Sequence, residues 1–586
     1  MIKLFKNLEK RDFLVILCVV ILVICSVFLD LRTPEYMSEI TKLVQTENSS
    51  MNEILNAGLH MLICAIGSLC CTITVGFFTS LLSANFSRNV RRKIFAKVED
   101  FGIAEIKKFS TSSLITRTTN DVTQIEMLLA MGLQMMIKSP VMAVWALTKI
   151  LGKSSELSLI TGAGVVIIVV TNLIIISIVT PRFSKIQKLT DKVNGVTREN
   201  ITGIRVVHAF NAEKFMGKRF SDVNEEISNT HLKITRTFAV MDPIMNFVMH
   251  FQHLGIYVVG AFIIERSGML GKIEMFSNMV VFSSYGMQVI MSFLMLTMIF
   301  MILPRARVSA NRINEVLDEE VSIVSGNFKG DTGEHGTVEF KNVSFKYPDA
   351  DEYLLKDISF KVNQGETIAF IGSTGSGKST LINLVPRLYD ATIGEVYVDG
   401  VNVKEYELSE LNNKIGYIPQ TAVMFTGSVY DNVSYGDNGK EKPSLKKVKE
   451  AIKVAQGKDF IEKMEGDYKA HIARGGTNVS GGQKQRLSIA RAIARDPEIY
   501  IFDDSFSALD YQTDAKLRSE LKKYTKDATS MIVAQRIGTI MNADKIVVLD
   551  KGECVGVGTH KELLKSCEIY KEIALSQLSE EELQNA

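Results

Sequence analysis

The sequence predicts two fold classes in one chain, an all-α half with six membrane-spanning helices followed by an α/β half. Its 586 residues are too many for a single hydrophobic core, so at least two domains are expected. Apolar runs long enough to span a bilayer, about 20 residues each, are confined to the first half. The second half contains short apolar runs that are typical of buried strands and alternate with amphipathic stretches.

Composition places the boundary between the halves. A polar stretch with Asp318, Glu319, Glu320 and several glycines follows the last apolar run. We therefore predict a transmembrane domain at 1–315, a linker at 316–335 and an α/β domain at 336–586. The net charge of +2 gives no strong attraction to nucleic acid, and none is expected as a partner. The seven cysteines include no C-x-x-C pair, which argues against a zinc site or a disulfide scaffold.

Charge asymmetry orients the six predicted spans. Basic residues are concentrated in the segments 87–125 and 181–240, whereas the other connecting segments carry few. By the positive-inside rule, both long segments and both termini are cytoplasmic, which makes the chain a multi-pass integral membrane protein. The spans are predicted at 13–33, 57–86, 128–150, 157–180, 241–264 and 276–302.

The two long cytoplasmic segments are rich in helix formers, so we expect them to extend the membrane helices. Each would turn around at a short helix, for which 109–122 and 199–215 are the candidates. The alternative is that both are simply solvated basic helices, but apolar residues such as Val206 and Phe210 need something to pack against.

Few polar residues lie inside the spans. Lys138 is a charge at membrane depth, which points to a substrate pathway or to snorkelling toward the interface. Met287, Met291, Met295 and Met298 follow helical spacing in the last span. Soft methionine side chains suit a cavity for varied apolar ligands, and ordinary helix packing is the alternative.

The α/β half is organised around a phosphate-binding loop. The buried-strand pattern Ile368–Ile371 leads into the motif G-x-x-x-x-G-K-S, and a helical pattern follows. Glycines let backbone N–H groups curl around phosphate oxygens, and the helix N-terminus favours an anion. We expect Lys378 to reach the β- and γ-phosphates of a nucleotide and Ser379 to bind Mg²⁺. The predicted loop residues are Gly372, Ser373, Thr374, Gly375, Ser376, Gly377, Lys378, Ser379 and Thr380.

Further features follow the loop. The strand IGYIPQ ends in Gln420, which could contact Mg²⁺ or the attacking water. VSGGQ contributes Ser480, Gly481, Gly482 and Gln483 at the start of an amphipathic helix, and SALD occupies 507–510. The strand IYIFDD delivers Asp503 and Asp504, and another ends at Gln535. Upstream, Tyr347 could stack on a nucleobase or be a plain surface tyrosine.

Together these motifs resemble the ATP-binding cassette (ABC) exporters of the half-transporter type. The resemblance covers nearly the whole chain, because six spans precede a cassette whose motifs occur in the family's order. It implies ATP and Mg²⁺ as cofactors, Tyr347 as the adenine-stacking aromatic, and loop residues 372–380 on the phosphates. It also implies Mg²⁺ binding by Ser379, Gln420 and Asp503. Ser480, Gly481, Gly482 and Gln483 would act on an ATP held by the opposite cassette, and the two turning points would be coupling helices.

Two departures from the family's pattern carry most of the information. Asp504 stands where the family has its catalytic glutamate, and Gln535 stands where it has a switch histidine. Aspartate is one methylene shorter, and losing a well-placed general base typically lowers a rate by about 10²–10⁴. Glutamine cannot be a cation. The resemblance is therefore to the degenerate subunit of heterodimeric bacterial multidrug-type exporters, which pairs with a second half-transporter that has an intact catalytic Glu and switch His.

The implied function is ATP-driven export of lipophilic or amphipathic compounds (drug, lipid or peptide) across the bacterial plasma membrane, with the cassette in the cytoplasm. This makes the chain an ATP-hydrolysing translocase whose competent site is shared with the partner. Two alternatives stay open at this stage. One is an importer with the exporter fold, of the siderophore-uptake type, and the other is an ATP-gated channel or regulator.

Overall fold

The computed structural model describes residues 2–6, 8–46, 49–151, 155–266 and 268–578. The chain divides into two compact units. The first contains Met1–Glu99 and Ser112–Glu319, and the second contains Asp100–Thr111 and Glu320–Ala586. A short piece from the first half of the sequence therefore belongs to the second unit.

Long helices build the first unit. In chain order the helices of this half are α1 (Ile2–Phe5), α2 (Lys10–Gln45), α3 (Met51–Glu99), α4 (Ile103–Phe109, which belongs to the second unit), α5 (Thr111–Thr116), α6 (Val122–Met127), α7 (Leu133–Leu151), α8 (Ser155–Thr202), α9 (Ile204–Ala209), α10 (Glu213–Ala239), α11 (Met241–Arg266) and α12 (Met269–Asp318). Two π-helical turns, Arg117–Asp121 and Leu128–Gly132, join α5, α6 and α7 into one stretch.

Six helical stretches in the described residues are long and apolar enough to cross a membrane. Each of them contains one of the six predicted spans, so the prediction of six apolar helices is confirmed. Their packed side includes Val27, Phe282 and Tyr285, whereas many other apolar side chains remain exposed. Exposed apolar faces are expected of helices that meet lipid. The stretches are Lys10–Gln45, Met51–Glu99, Thr111–Leu151, Ser155–Thr202, Glu213–Arg266 and Gly271–Asp318.

The first predicted turning point, at 109–122, was wrong. The short helix is α4, which begins after Gly102 and ends at Ser110, where φ is 59°. The residues after it run as continuous helix from Thr111 to Leu151. Hydroxyl-rich residues look like a break in the sequence, but here the hydroxyls of Thr118 and Thr119 donate to the carbonyls four residues earlier. The second short helix, α9, lies inside the predicted range 199–215.

The second unit is an α/β structure, with three sheets among its described residues. Its strands are β1 (Val338–Phe345), β2 (Leu355–Val362), β3 (Thr367–Gly372), β4 (Ile393–Val398), β5 (Val401–Asn402), β6 (Ile415–Ile418), β7 (Gly427–Ser428), β8 (His471–Ile472), β9 (Ile499–Asp503), β10 (Thr529–Val533), β11 (Lys545–Asp550) and β12 (Glu553–Gly558). Its further helices are α13 (Lys378–Asn383), α14 (Leu408–Asn413), α15 (Val429–Val433), α16 (Leu445–Val454), α17 (Lys458–Ile461), α18 (Gly481–Arg495), α19 (Tyr511–Tyr524), α20 (Ile537–Ile540), α21 (His560–Ser566) and α22 (Glu568–Leu575).

The six-stranded sheet has the order β12-β11-β3-β10-β9-β6, in which β12 is antiparallel and the other strands are parallel. A four-stranded antiparallel sheet has the order β2-β1-β4-β5, and β7 pairs with β8. Parallel strands end at the same edge of a sheet, where ligands of such folds bind. The loop after β3, the end of β9 and the residues after β10 are therefore neighbours, which brings the predicted site residues together.

Candidate functional site

The loop between β3 and α13 follows a path that only glycine allows at two points. Gly372 has φ of 155°, and a Cβ there would lie 2.0 Å from the Leu549 carbonyl oxygen. Gly377 has φ of 94°, and its Cβ would lie 2.6 Å from a methyl carbon of Leu355. A Cβ at Gly372 would collide with backbone, and the positive φ at Gly377 strains any residue with a side chain, so these glycines fix the shape of the loop.

Lys378 is the first residue of α13, and its side chain reaches back to the carbonyls of this loop. Its Nζ donates to the Gly372 carbonyl at 2.8 Å and the Ser373 carbonyl at 2.7 Å, and it lies 3.4 Å from the Ser376 hydroxyl. The side chain is 9% exposed, and burial lowers the pKa of its ammonium group, although the Asp504 and Asp503 carboxylates oppose that shift. A cation penalised by burial is stabilised when an anion binds beside it.

Ser379, the next residue, connects the loop to the end of β9. Its hydroxyl donates to Asp503 Oδ1 at 2.6 Å. The Tyr417 hydroxyl, on β6, lies 3.5 Å from Asp503 Oδ2 and 2.9 Å from Asn383 Oδ1. Burial raises the pKa of the Asp503 carboxyl and of the Tyr417 phenol, so the phenol stays a neutral donor.

Asp504 is held by two glutamine amides. Its Oδ2 accepts from Gln535 Nε2 at 3.0 Å and from Gln420 Nε2 at 3.4 Å. The backbone of Asp504 has φ of 46°, its N–H donates to the Val533 carbonyl, and its side chain is 8% exposed. Burial raises the pKa of this carboxyl. Both glutamines therefore bind the same oxygen of this carboxylate.

Tyr347 lies at the other end of the loop. Its hydroxyl and that of Thr380 are 2.8 Å apart. Its ring stands nearly perpendicular to the rings of Phe345 and Tyr389, with centroid distances of 5.0 and 5.3 Å. The predicted base-stacking residue is thus fixed beside the phosphate loop.

The VSGGQ residues form the N-terminus of α18. The Ser480 hydroxyl accepts from the Gln483 N–H, and the Ser480 N–H donates to Gln483 Oε1 at 2.8 Å, which is a capping box. A Cβ on Gly481 would meet nothing within 4 Å, whereas one on Gly482 would lie 3.3 Å from the Ala508 carbonyl oxygen. Within the described residues, Ser480 and Gln483 are not hydrogen-bond partners of the loop at 372–380. The hydrogen bonds between Ser480 and Gln483 thus stay within the N-terminus of α18.

A nucleotide with Mg²⁺ fits this arrangement. The glycine path leaves the loop backbone free to surround phosphate oxygens, and Lys378 supplies a buried cation. Ser379 and Asp503 offer oxygen atoms at one point, which is the donor type that Mg²⁺ prefers. Gln420 would join them through its amide oxygen.

Comparison with known proteins gives two family matches. A family described as the ABC transporter transmembrane region matches residues 16–303, and one described as ABC transporter matches residues 355–507. An uncharacterized ABC transporter ATP-binding protein of Mycobacterium bovis is 38% identical over 89% of this chain and 87% of its own length. The chain belongs to the ABC transporter family. It is therefore an integral membrane protein with an ATP-binding domain, built for ATP-driven transport.

Other ABC transporters show similar likeness. The uncharacterized ABC transporter ATP-binding protein YfiB of Bacillus subtilis is 35% identical over 86% of both chains. The ATP-dependent lipid A-core flippase of Pseudomonas aeruginosa is 31% identical over 83% of this chain and 79% of its own. The solved structure of a bacterial Atm1-family ABC exporter with ATP bound has a TM-score of 0.81, 21% identity, and coverage of 97% of this chain and 100% of its own. That structure supports the ABC exporter fold.

Two further residues of the site were missed at the sequence level. Tyr417 contacts Asp503, and a polar-tipped residue inside the buried strand IGYIPQ was the available signal. Gln577 follows α22, and its amide donates to the Gln535 carbonyl at 2.8 Å and accepts from the Ile537 N–H at 2.9 Å. No local pattern marks Gln577, since it meets Gln535 only through the fold.

Proposed function

We propose that this ABC transporter is one subunit of a heterodimeric exporter, and that its own nucleotide site binds Mg-ATP but hydrolyses it slowly. The observation that carries the proposal is the arrangement at Asp504, where both Gln535 and Gln420 donate to one carboxylate oxygen. The parts that bind nucleotide are complete beside it.

Binding is assigned to the loop and its neighbours. Lys378 and the N–H groups of residues 372–380 hold the phosphates, and the Tyr347 ring stacks on the adenine. Ser379 and Asp503, with Gln420, would hold Mg²⁺, which would neutralise negative charge on the phosphates. Tyr417 keeps the Asp503 carboxylate oriented toward Ser379.

Slow hydrolysis follows from the two substitutions. Asp504 is one methylene too short for a water placed for glutamate, and two amide donors occupy its Oδ2. Gln535 adds no positive charge near the γ-phosphate. A missing general base lowers a rate by about 10²–10⁴, so we expect nucleotide to stay bound here while another site turns over.

A partner subunit would supply that other site. The signature residues Ser480, Gly481 and Gly482 are intact at the N-terminus of α18, where N–H groups favour an anion. They would complete a site whose P-loop, catalytic glutamate and switch histidine belong to the partner. The short helix α9 supports an assembly, because large apolar side chains on it and at its end are exposed. Val206 is 61% exposed, and Phe210, which follows α9, is 78% exposed.

We propose lipophilic or amphipathic substrates (drug, lipid or peptide), which places the chain among multidrug-type exporters of the bacterial plasma membrane with both termini cytoplasmic. Met287, Met291 and Met298 are exposed along α12, as expected of a soft apolar cavity lining. Lys138 pairs with Asp30 at 3.0 Å, a charge pair available to a polar headgroup. The likeness to a lipid A-core flippase supports a lipidic substrate.

The test compares two substitutions in this chain after co-assembly with the wild-type partner. Ser480→Ala removes a donor to the competent site and should abolish ATPase and transport, because stabilisation of the transferring phosphoryl group is usually the largest contribution. Ser480→Thr keeps the hydroxyl and the helix cap and is the matched control. Asp504→Asn alters only the weak site and should leave most activity. Equal losses of activity for Asp504→Asn and Ser480→Ala would refute the asymmetric pair. ATP-dependent uptake of substrate into right-side-out vesicles would refute export.

A further inference from the structure

A lysine from the first half of the sequence lies over the aromatic residues at the base end of the nucleotide site. Lys107 is on α4, and its Nζ lies 4.9 Å from the centroid of the Tyr347 ring and 5.8 Å from that of Tyr389. Both distances are within the range of a cation–π interaction, about 6 Å. The ammonium group therefore occupies space over a ring face of Tyr347.

The rest of α4 anchors this lysine in the second unit. Ile103 and Ala104 pack against its hydrophobic core. Glu105 is 5% exposed, and its Oε1 accepts from the Ser322 N–H at 3.3 Å. The Tyr389 hydroxyl is the largest cause of the raised pKa of Lys107, which keeps the side chain protonated. Lys107 is thus a fixed cation delivered by a docked helix.

Tyr347 has little freedom to avoid this lysine. Its hydroxyl is held at Thr380, and the rings of Phe345 and Tyr389 stand nearly perpendicular to its own. A purine that stacks on the covered face would need the volume that the ammonium group fills, since stacked rings approach to a few ångströms. Base and lysine therefore cannot both use that face.

We propose that Lys107 competes with the nucleotide base for the Tyr347 ring. Lys107 thereby limits the affinity of this site for ATP, and binding of the base releases Lys107. This inference rests on the proposed function, in which Tyr347 stacks on adenine. Release of Lys107 loosens α4, which connects the end of α3 at Glu99 directly to the start of α5 at Thr111. Binding of the base at a slowly hydrolysing site would thereby affect α3 and α5 through their covalent connection to α4.

Equilibrium binding to the purified full chain tests the competition. Lys107→Gln keeps length and polarity without the cation, and should tighten ATP binding about two- to fivefold, the fold-change that corresponds to about 0.5–1 kcal/mol. Inorganic tripolyphosphate has no base, so its affinity should stay the same. Lys107→Arg restores a cation over the ring and should return ATP affinity to within about twofold of wild type.

A double-mutant cycle assigns the effect to the ring. With Tyr347→Leu in place, Lys107→Gln should no longer change ATP affinity, because the shared partner is gone. Equal tightening by Lys107→Gln in both backgrounds, or equal tightening for ATP and tripolyphosphate, would overturn the proposal.

Lysine acetylation followed by mass spectrometry tests the release. Lys107 should be acetylated faster with ATP than with tripolyphosphate, whereas the exposed Lys516 should not change. Equal Lys107 rates with the two ligands would overturn the release of Lys107. If the proposed function itself is wrong, the result differs, because neither Lys378→Ala nor Tyr347→Leu should then change ATP binding.

Discussion

Rebuilding the catalytic pair at the site that we propose to be weak should turn the isolated chain into an ATPase. The double substitution Asp504→Glu with Gln535→His provides a longer carboxylate and a group that can carry positive charge, whereas the P-loop and the signature are already complete. Two copies of the doubly substituted chain would contain two competent sites. The wild-type chain alone should show ATPase close to background.

The magnitude follows from the contacts of Asp504. Glutamate extends the carboxylate by one carbon–carbon bond, about 1.5 Å. Gln535→His removes the closer of the two amide donors, at 3.0 Å, and leaves Gln420 at 3.4 Å. Recovery of a general base should raise the rate about 10²–10⁴-fold, which is about 2.7–5.4 kcal/mol of barrier. Asp504→Glu alone should give less, since Gln535 still binds the carboxylate.

The assay is phosphate release from Mg-ATP by the purified chain in nanodiscs. Adding Lys378→Ala to the double variant should return the rate to background, which shows that the activity comes from this chain. The reasoning fails if the double variant is dimeric by light scattering, binds ATP and remains inactive. It also fails if the wild-type chain alone turns over at roughly 1–10 s⁻¹, an ordinary enzyme rate.

Three other substitutions test the site. Asp503→Asn should raise the melting temperature of the nucleotide-free protein and abolish the increase in that temperature on adding Mg-ATP. Because burial raises the pKa of the Asp503 carboxyl, the free energy of unfolding of the wild type falls as pH rises above the usual pKa of aspartate. The variant should not show this fall. Tyr417→Phe should raise the Mg²⁺ concentration needed for half-maximal ATP binding about tenfold, as second-sphere contacts typically do, which a Mg²⁺ titration measures. Gly372→Ala should abolish ATP binding in a filter assay, since its Cβ would lie 2.0 Å from the Leu549 carbonyl oxygen.

Two kinds of site residue could be predicted from the sequence: those that are close together in the chain, and those that lie at the ends of parallel strands. The phosphate loop could be recognised because its glycines, lysine and serine are consecutive in the chain. Asp503 and Gln535 could be placed near it because parallel strands end at one edge of the sheet. Contacts that depend on side-chain direction could not be predicted. That both glutamines bind the same oxygen of Asp504 became visible only with the fold.

The segment after α3 shows why helix boundaries were harder to predict. The helix breaks at Asp100–Gly102, after α3 ends at Glu99. Gly102 has an extended backbone, and α4 follows it. The predicted turning point at 109–122 contains hydroxyl-rich residues, and the hydroxyls of Thr118 and Thr119 bond within the helix. Propensity alone does not distinguish a hydroxyl that ends a helix from one that bonds back into it.

Two neighbouring residues near the start of α13 contact opposite ends of the candidate nucleotide site. Ser379 donates to Asp503 at the metal end, and Thr380 lies 2.8 Å from the Tyr347 hydroxyl at the base end. Both residues lie in the first turn of the same helix, α13. A site that holds ATP without rapid hydrolysis would keep both ends engaged for long periods. In the proposed function, slow turnover at Asp504 would set how long the base stays bound, and the competition proposed at Tyr347 would set how the bound base affects α4.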